Sequence, residues 1–362
     1  MKLGVIGLPG AGKTTIFNAL TQGNAPTGQS MGGRFDVLTA VVDVKDERVD
    51  VLTGMFHPKK TTYARITYTD VGGLKKSEKE SAISGPLLNH LAGLDGLVHV
   101  VRAFESDLVP HPDGSVDALR DLEALDTEFI LNDLSTVEKR MEKLQEGLAR
   151  GAFRDNKAAA QAELALFEQL HEALSAERPL RDLSLDDDQL KSLRGFGLLT
   201  LKPQLIVFNI GDDQDEIAYE AKWGWTAVTN LRGKLEMELA QLSAEGDEES
   251  LEMFMAEYGV AELSLDKIIR LSYDLMGLQS FFTVGEDEVR AWTLKRGATA
   301  VDAAGTIHTD LAKGFIRAET VHYQELVAAG GLPQARSAGK LRQEGKTYLV
   351  QDGDVINVKF NL

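Results

Sequence analysis

The chain opens with a short apolar run, Leu3–Ile6, that ends directly on Gly7-Leu8-Pro9-Gly10-Ala11-Gly12-Lys13-Thr14, and this junction constrains the fold more than any other stretch. The octet fits G-x-x-x-x-G-K-[ST], a pattern that is rare by chance and requires a strand before it and a helix after it. Both are present in pattern: Lys2–Ile6 reads as a buried strand and Lys13–Gln22 as an amphipathic helix. The glycines let the backbone turn tightly, so that successive N–H groups converge on an anion while the helix start aims its positive dipole end at the same point. A purely structural turn has no use for the adjacent Lys13 and Thr14. In loops of this kind the lysine contacts the β- and γ-phosphates and the hydroxyl ligates Mg²⁺. Pro9, Gly10, Ala11, Gly12, Lys13, Thr14 and Thr15 are therefore the candidate nucleotide-binding residues, with Lys13 also the candidate catalytic charge and Thr14 a candidate metal ligand.

Three further motifs follow at strand ends. Asp70 closes the alternating run Ala64–Asp70 and begins D-V-G-G. A carboxylate there can hold Mg²⁺ through water, and Gly73 lets a backbone N–H approach the γ-phosphate. Leu74 stands where Ras-type GTPases place a water-orienting glutamine. A leucine cannot orient water, so Leu74 marks slow hydrolysis or hydrolysis through another group. Asn209-Ile210-Gly211-Asp212 follows the buried strand Gln204–Asn209, at the position of a base-recognition motif. Asn209 can brace the phosphate loop and face the base. Ile210 replaces the stacking lysine of N-K-x-D, whereas Asp212 is retained, which leaves adenine and guanine both open. His111 lies in a loop rich in Asp, Pro and His (106–115) and is the candidate to position or activate water; a lone loop histidine also fits an idle surface residue.

The strand–helix alternation of residues 1–110 implies a parallel sheet with crossover helices. It is interrupted at about 116–175 by proline-free helical periodicity, with Ile130, Leu134, Val137, Met141, Leu144 and Leu148 on one stripe and Ala160, Leu164, Phe167, Leu170 and Leu174 on another. Two antiparallel helices zipped along that seam are the simplest reading. The alternation resumes at Gln204–Asn209 and Trp225–Thr229, and from Leu278 the texture becomes short strands broken by Gly and Asp. The expected domains are thus a nucleotide domain at 1–112 and 197–277, an inserted helical arm at 113–196, and a small β-rich domain at 278–362. The chain has no cysteine, which excludes disulfides, thiol catalysis and cysteine-ligated zinc. Neither a signal peptide nor a membrane span is expected, which makes the cytoplasm the default compartment; a monomer is a separate expectation. The formal charge is −17, all of it carried by the first 277 residues, since 278–362 holds ten Lys/Arg against ten Asp/Glu. Such a body argues against nucleic-acid binding through charge alone but leaves a local docking patch open.

Taken together, G-L-P-G-A-G-K-T, D-V-G-G-L, H-V-V-R-A-F-E (99–105), L-T-L-K-P (199–203) with N-I-G-D, R-A-W-T (290–293), A-A-G-T-I-H-T-D (303–310), G-F-I-R-A-E (314–319) and D-G-D-V-I (352–356) resemble the YchF / Obg-like ATPase family over nearly the whole chain. The resemblance implies an α/β fold: a Ras-like P-loop domain, an inserted antiparallel helical arm and a C-terminal β-grasp-like TGS domain. It implies ATP preferred over GTP, Mg²⁺-dependent hydrolysis and association with the ribosome; the cations of 278–362 leave RNA or protein docking through the TGS-like domain open, and a solvated charged surface fits them equally. It also implies that Leu74 marks the hydrophobic-for-glutamine class and that His111 corresponds to the family's loop histidine. The chain departs from the family pattern at four places. The phosphate loop reads Gly10-Ala11-Gly12-Lys13-Thr14 instead of N-V-G-K-S. Met31–Phe35 stands where a switch threonine is expected, and Lys75–Gly85 replaces a glycine-rich loop. N-x-x-D replaces N-x-x-E. Two rival functions follow, a nucleotide-gated binding module with little hydrolysis and a true GTPase.

Overall fold

The computed structural model describes residues 1–21, 37–72, 85–153, 156–258, 260 and 264–361. Its strands are β1 (Lys2–Ile6), β2 (Val37–Val44), β3 (Lys60–Thr62), β4 (Ala64–Val71), β5 (Gly96–Arg102), β6 (Gln204–Asn209), β7 (Thr226–Leu231), β8 (Leu278–Thr283), β9 (Glu288–Lys295), β10 (Phe315–His322), β11 (Arg342–Glu344) and β12 (Asp354–Phe360). They form two six-stranded sheets, ordered β2-β4-β1-β5-β6-β7 and β11-β10-β12-β8-β9-β3. The chain packs as two compact units, residues 1–40 with 67–265 and residues 41–66 with 266–362.

In the first unit, β1 lies parallel between β4 and β5, and β5, β6 and β7 continue in parallel. Strands covered on both faces are apolar along most of their length, as Leu205–Phe208 in β6 is throughout and Leu97–Val101 in β5 is apart from His99. Ile6, Val71, Leu87, Leu91, Leu97, Phe129 and Leu199 pack into one core. The register pairs Val5 with Asp70 and Ile6 with His99, so the loop leaving β1 and the acid ending β4 emerge at the same sheet edge. Ligands of open α/β sheets sit at the carboxyl ends of the strands.

The arm consists of the helices Ala118–Ala149 and Lys157–Ser175. Val137, Phe167, Leu170 and Leu174 are buried between them, with Ile130, Leu134 and Met141 packed alongside, as the two apolar stripes require. Arg140 meets Glu163 through two 2.8 Å hydrogen bonds, and Glu138 meets His171, pairings that run in opposite chain directions and make the helices antiparallel. At the arm's base the fully buried Asp133 carboxylate accepts from the backbone N–H groups of Leu199 (2.9 Å) and Thr200 (2.7 Å) and from the Thr200 hydroxyl (2.7 Å). Burial raises its pKa while those donors oppose the rise. The L-T-L-K-P stretch is thus the socket into which the arm is pinned.

In the second unit, β8 and β9 form an antiparallel pair, β12 runs parallel to β8, and β10 pairs antiparallel with β12. The helix Ala300–Ile307, started by a Thr299/Asp302 capping box, lays Ala300, Ala303 and Ala304 on Phe281, Phe315 and Ile356. This is a β-grasp-like arrangement. The unit also takes in residues 41–66 and 266–277, which the sequence reading places in the nucleotide domain. β3 runs parallel along the edge of β9, the Thr62 hydroxyl donates to Glu288 (2.7 Å), and Arg48 pairs with Asp46 and Asp352 while lying over the Phe282 ring. Three residues are too few to show a period, so nothing local in Lys60–Thr62 announces a strand of the C-terminal sheet.

Candidate nucleotide-binding site

The loop after β1 folds as its glycines demand. Gly7, Gly10 and Gly12 have φ of 148°, 76° and 90°, and a Cβ on Gly7 would collide with the Val100 carbonyl oxygen. A Cβ on Gly12 would strike the Asn209 amide. That amide is the brace of the loop: Asn209 Nδ2 donates to the Ala11 carbonyl (3.0 Å) and its Oδ1 accepts from the Gly233 N–H (3.0 Å) at the start of the helix Gly233–Glu245. One N–H and the carbonyl oxygen of the side chain are engaged, so Asn209 is held as a buttress for the loop.

Lys13, at the head of its helix, donates to the carbonyl oxygens of Gly7 and Leu8, each at 3.0 Å. An ammonium carries three protons. Two orient it across the mouth of the loop and the third is left for an anion. Burial lowers Lys13 from the ordinary lysine range to about 8, with the charge of Asp70 pulling the other way. The Thr14 hydroxyl donates to Asp70 Oδ2 at 2.7 Å. Burial pushes the Asp70 carboxyl up, opposed by that hydrogen bond and by Lys13. Asp70 Oδ1 is buried with no hydrogen-bond partner among the described residues. A hydroxyl and a carboxylate in contact, one carboxylate oxygen left over, form a hard-oxygen donor set suited to Mg²⁺, which keeps most of its waters and takes few protein ligands. No cluster of three or more His, Cys, Asp or Glu with metal-binding geometry occurs among the described residues.

The remaining sequence candidates divide. Pro9 and Gly10 are exposed on the loop crest, Ala11 is buried, and Thr15 is half-buried in the first helical turn. Ile210 is 4% exposed and packs with Val101, Ala118, Leu122 and Phe208; its side chain belongs to the core and presents nothing to stack on a base. Asp212 stands half-buried beyond it with no hydrogen-bond partner among the described residues. Gly73, Leu74 and the segment Met31–Phe35 lie outside the described residues. His111, expected in a loose loop, is instead docked: its side chain is 3% exposed and its Nε2 lies 2.7 Å from Asp121 Oδ2. The Asp113 N–H donates to Nδ1 (3.1 Å), which places the neutral ring's proton on Nε2, donating to Asp121. Arg120 grips the other oxygen of Asp121 at 2.9 and 3.0 Å. The hydrogen bonds of His111 therefore run to Asp113 and Asp121 and none reaches the phosphate loop.

Two side chains with no assigned role stand beside that loop. Arg102, the last residue of β5, is 2% exposed, and Phe104 occupies the space between Gly12 and Gly211 with the Arg102 guanidinium 4.7 Å from its ring centroid. Arg102 closes a strand that also buries His99, so its polarity alone did not single it out in the sequence.

A glycine-formed crown on a parallel strand, an oriented lysine at its mouth and a Thr–Asp oxygen pair beside it define a P-loop nucleotide-binding protein with the GTPase fold. Family models agree: residues 2–146 match the 50S ribosome-binding GTPase family (MMR_HSR1), and residues 278–361 match YchF-GTPase_C, described as a protein of unknown function (DUF933). The chain is 40% identical to the "Ribosome-binding ATPase YchF" of Bacillus subtilis (strain 168), over 99% of both chains. It is 37% identical to the protein of that name in Escherichia coli O157:H7, over 100% of this chain and 99% of the relative. It is 34% identical to "Obg-like ATPase 1" of Caenorhabditis elegans, over 100% and 92%. The solved Schizosaccharomyces pombe YchF GTPase superposes with a TM-score of 0.82 at 30% identity, covering 99% of this chain and 97% of that one. The chain belongs to the YchF family. No helix among its described residues is long and apolar enough to cross a membrane.

Proposed function

We propose that the chain binds ATP with Mg²⁺ at residues 7–14, hydrolyses it slowly, and uses nucleotide state to regulate its association with the ribosome in translation or stress. Lys13 carries the reading: two of its protons are tied to Gly7 and Leu8, which holds the third over a loop of converging N–H groups. Thr14 and, through water, Asp70 are the residues to hold Mg²⁺, whose charge would offset that of the phosphates. Asn209 keeps the crown open for them. Attack is by water in line with the leaving group, with Leu74 excluding the usual glutamine role. ATP is favoured over GTP because relatives across bacteria and animals carry ATPase names; the acid at Asp212 keeps GTP as the competitor. The ribosome enters from the bacterial relatives' printed names.

Calorimetric titration of ATP and GTP, with and without Mg²⁺, tests this on the wild type and Lys13→Ala. The variant should lose roughly ten- to hundredfold in affinity, the worth of a charge-assisted contact. Undiminished binding would refute the site, and GTP tighter than ATP by about tenfold would reverse the base preference. A second reading, a nucleotide-gated module that scarcely hydrolyses, is favoured by the docking of His111 on Asp121. Phosphate release no faster than buffer, unchanged in His111→Ala, selects it.

A further inference from the structure

The feature left unused by that reading is Arg102. Three of its groups have distinct fates. Nε donates to the Phe104 carbonyl (3.1 Å), and Nη2 donates to the Val109 carbonyl (2.7 Å). Nη1 is buried and has no hydrogen-bond partner among the described residues. It lies 3.2 Å from the point where a Cβ on Gly10 would stand, and Val109 Cγ1 lies 3.2 Å from the same point. Among the described residues no carboxylate touches this guanidinium; Glu105 and Asp121 act on it only at Coulombic range. A buried guanidinium with an unmet N–H pair is costly, and a planar fork of donors is suited to phosphate oxygens.

We infer that Arg102 is a second cation of the nucleotide site: through Nη1 it donates to a phosphate of the bound nucleotide, and through Nε and Nη2 it ties the segment 104–109 to the phosphate loop. The inference rests on residues 7–14 being the nucleotide site. It gives the segment a mechanical role. Arg102 holds both ends of the segment, at the Phe104 and Val109 carbonyls, and just beyond Val109 the side chain of His111 is held by Asp121. Between them Leu108 is 93% exposed. Nucleotide arriving at Gly10 satisfies Nη1, fixes the guanidinium, and thereby stiffens the segment.

The test uses full-length wild type, Lys13→Ala, Arg102→Gln and Arg102→Lys, each titrated with Mg·ATP and each digested with chymotrypsin, with Mg·ATP present or absent, at the exposed Leu108–Val109 bond. Arg102→Gln is expected to bind Mg·ATP about tenfold more weakly and to lose nucleotide-dependent protection of that bond. Arg102→Lys should keep most of the affinity, because the charge persists, yet lose the protection, because a lysine lacks the rigid planar fork that spans the Phe104 and Val109 carbonyls while a further N–H faces Gly10. A merely structural arginine would lower the melting temperature of Arg102→Gln while leaving affinity and protection intact, and that result overturns the inference. Should Arg102→Gln fail to fold, Arg102→Lys decides alone: protection retained as in the wild type overturns it. Wild type that binds no Mg·ATP sinks the nucleotide site itself. Wild type that binds, with Lys13→Ala impaired and Arg102→Gln unimpaired, sinks only the role of Arg102.

Discussion

Lys13 has to be a cation for phosphate while sitting where cations are disfavoured. Burial holds it at about 8 in the ligand-free protein, against 10.5 for an ordinary lysine. Between those values the folded protein holds fewer protons at this site than the unfolded chain, so this group makes stability rise with pH across that window. A bound polyphosphate favours the ammonium and restores the higher pKa. Nucleotide affinity should therefore fall as pH climbs through about 8, and binding near pH 9 should take up about one proton. Titrations with Mg·ATP at pH 9 in two buffers of different ionisation enthalpy measure that uptake directly, with Lys13→Ala as the control that lacks it. Equal apparent enthalpies in the two buffers would mean the lysine is fully charged before ligand arrives. At this scale the sequence was informative where the chemistry is local. Lys13, Thr14 and Asp70 were readable because strand ends place them and their residue types are otherwise purposeless. Arg102 and the docking of His111 were hidden, since each depends on partners a few residues away in a loop without periodicity.

Elements were legible in proportion to their burial. The paired helices of the arm announced themselves by two apolar stripes, and β1 and β6 by short apolar runs. β3 did not, because its place on the edge of β9 is decided by partners 228 positions downstream, as between Lys60 and Glu288. What holds the arm was also unreadable: Asp133 looks like one more charged residue on a charged helix, yet it is fully buried and accepts three hydrogen bonds from Leu199 and Thr200. Asp133→Ala would strand two backbone N–H groups and a hydroxyl in the interior, at about 3–5 kcal/mol. Asp133→Asn keeps one acceptor and should cost less. Arg140→Ala, which removes a half-exposed pair further out on the arm, should cost no more than about 1 kcal/mol. Urea unfolding of the three variants ranks them, and an Asp133→Ala cost near that of Arg140→Ala would show that the arm's base is held by apolar packing alone.

For the whole molecule the proposed ribosome association requires a chain of formal charge −17 to approach a polyanion. The C-terminal residues are the least repulsive part, neutral in total, but most of their cations are already engaged. Arg336 and Lys359 meet Glu319, Lys340 meets Glu325, Arg342 lies among Glu325, Glu344 and Asp354, and Arg296 and Lys313 meet Asp274 and Asp310. Arg290 is stacked on Trp292 at 3.9 Å beside Glu288. Lys295, Arg317 and Lys346 are exposed and have no acidic neighbour in ion-pair range among the described residues. If this unit provides the docking surface, about two or three phosphates are neutralised, and raising salt from 50 to 200 mM should weaken binding only about ten- to fortyfold. Co-sedimentation with ribosomes across that range, in Mg·ATP, gives the slope; replacing Lys295, Arg317 and Lys346 together by alanine should flatten it. A thousandfold loss over the same interval would require six or more phosphate contacts, more than these three cations supply, and would move the docking surface to another part of the chain.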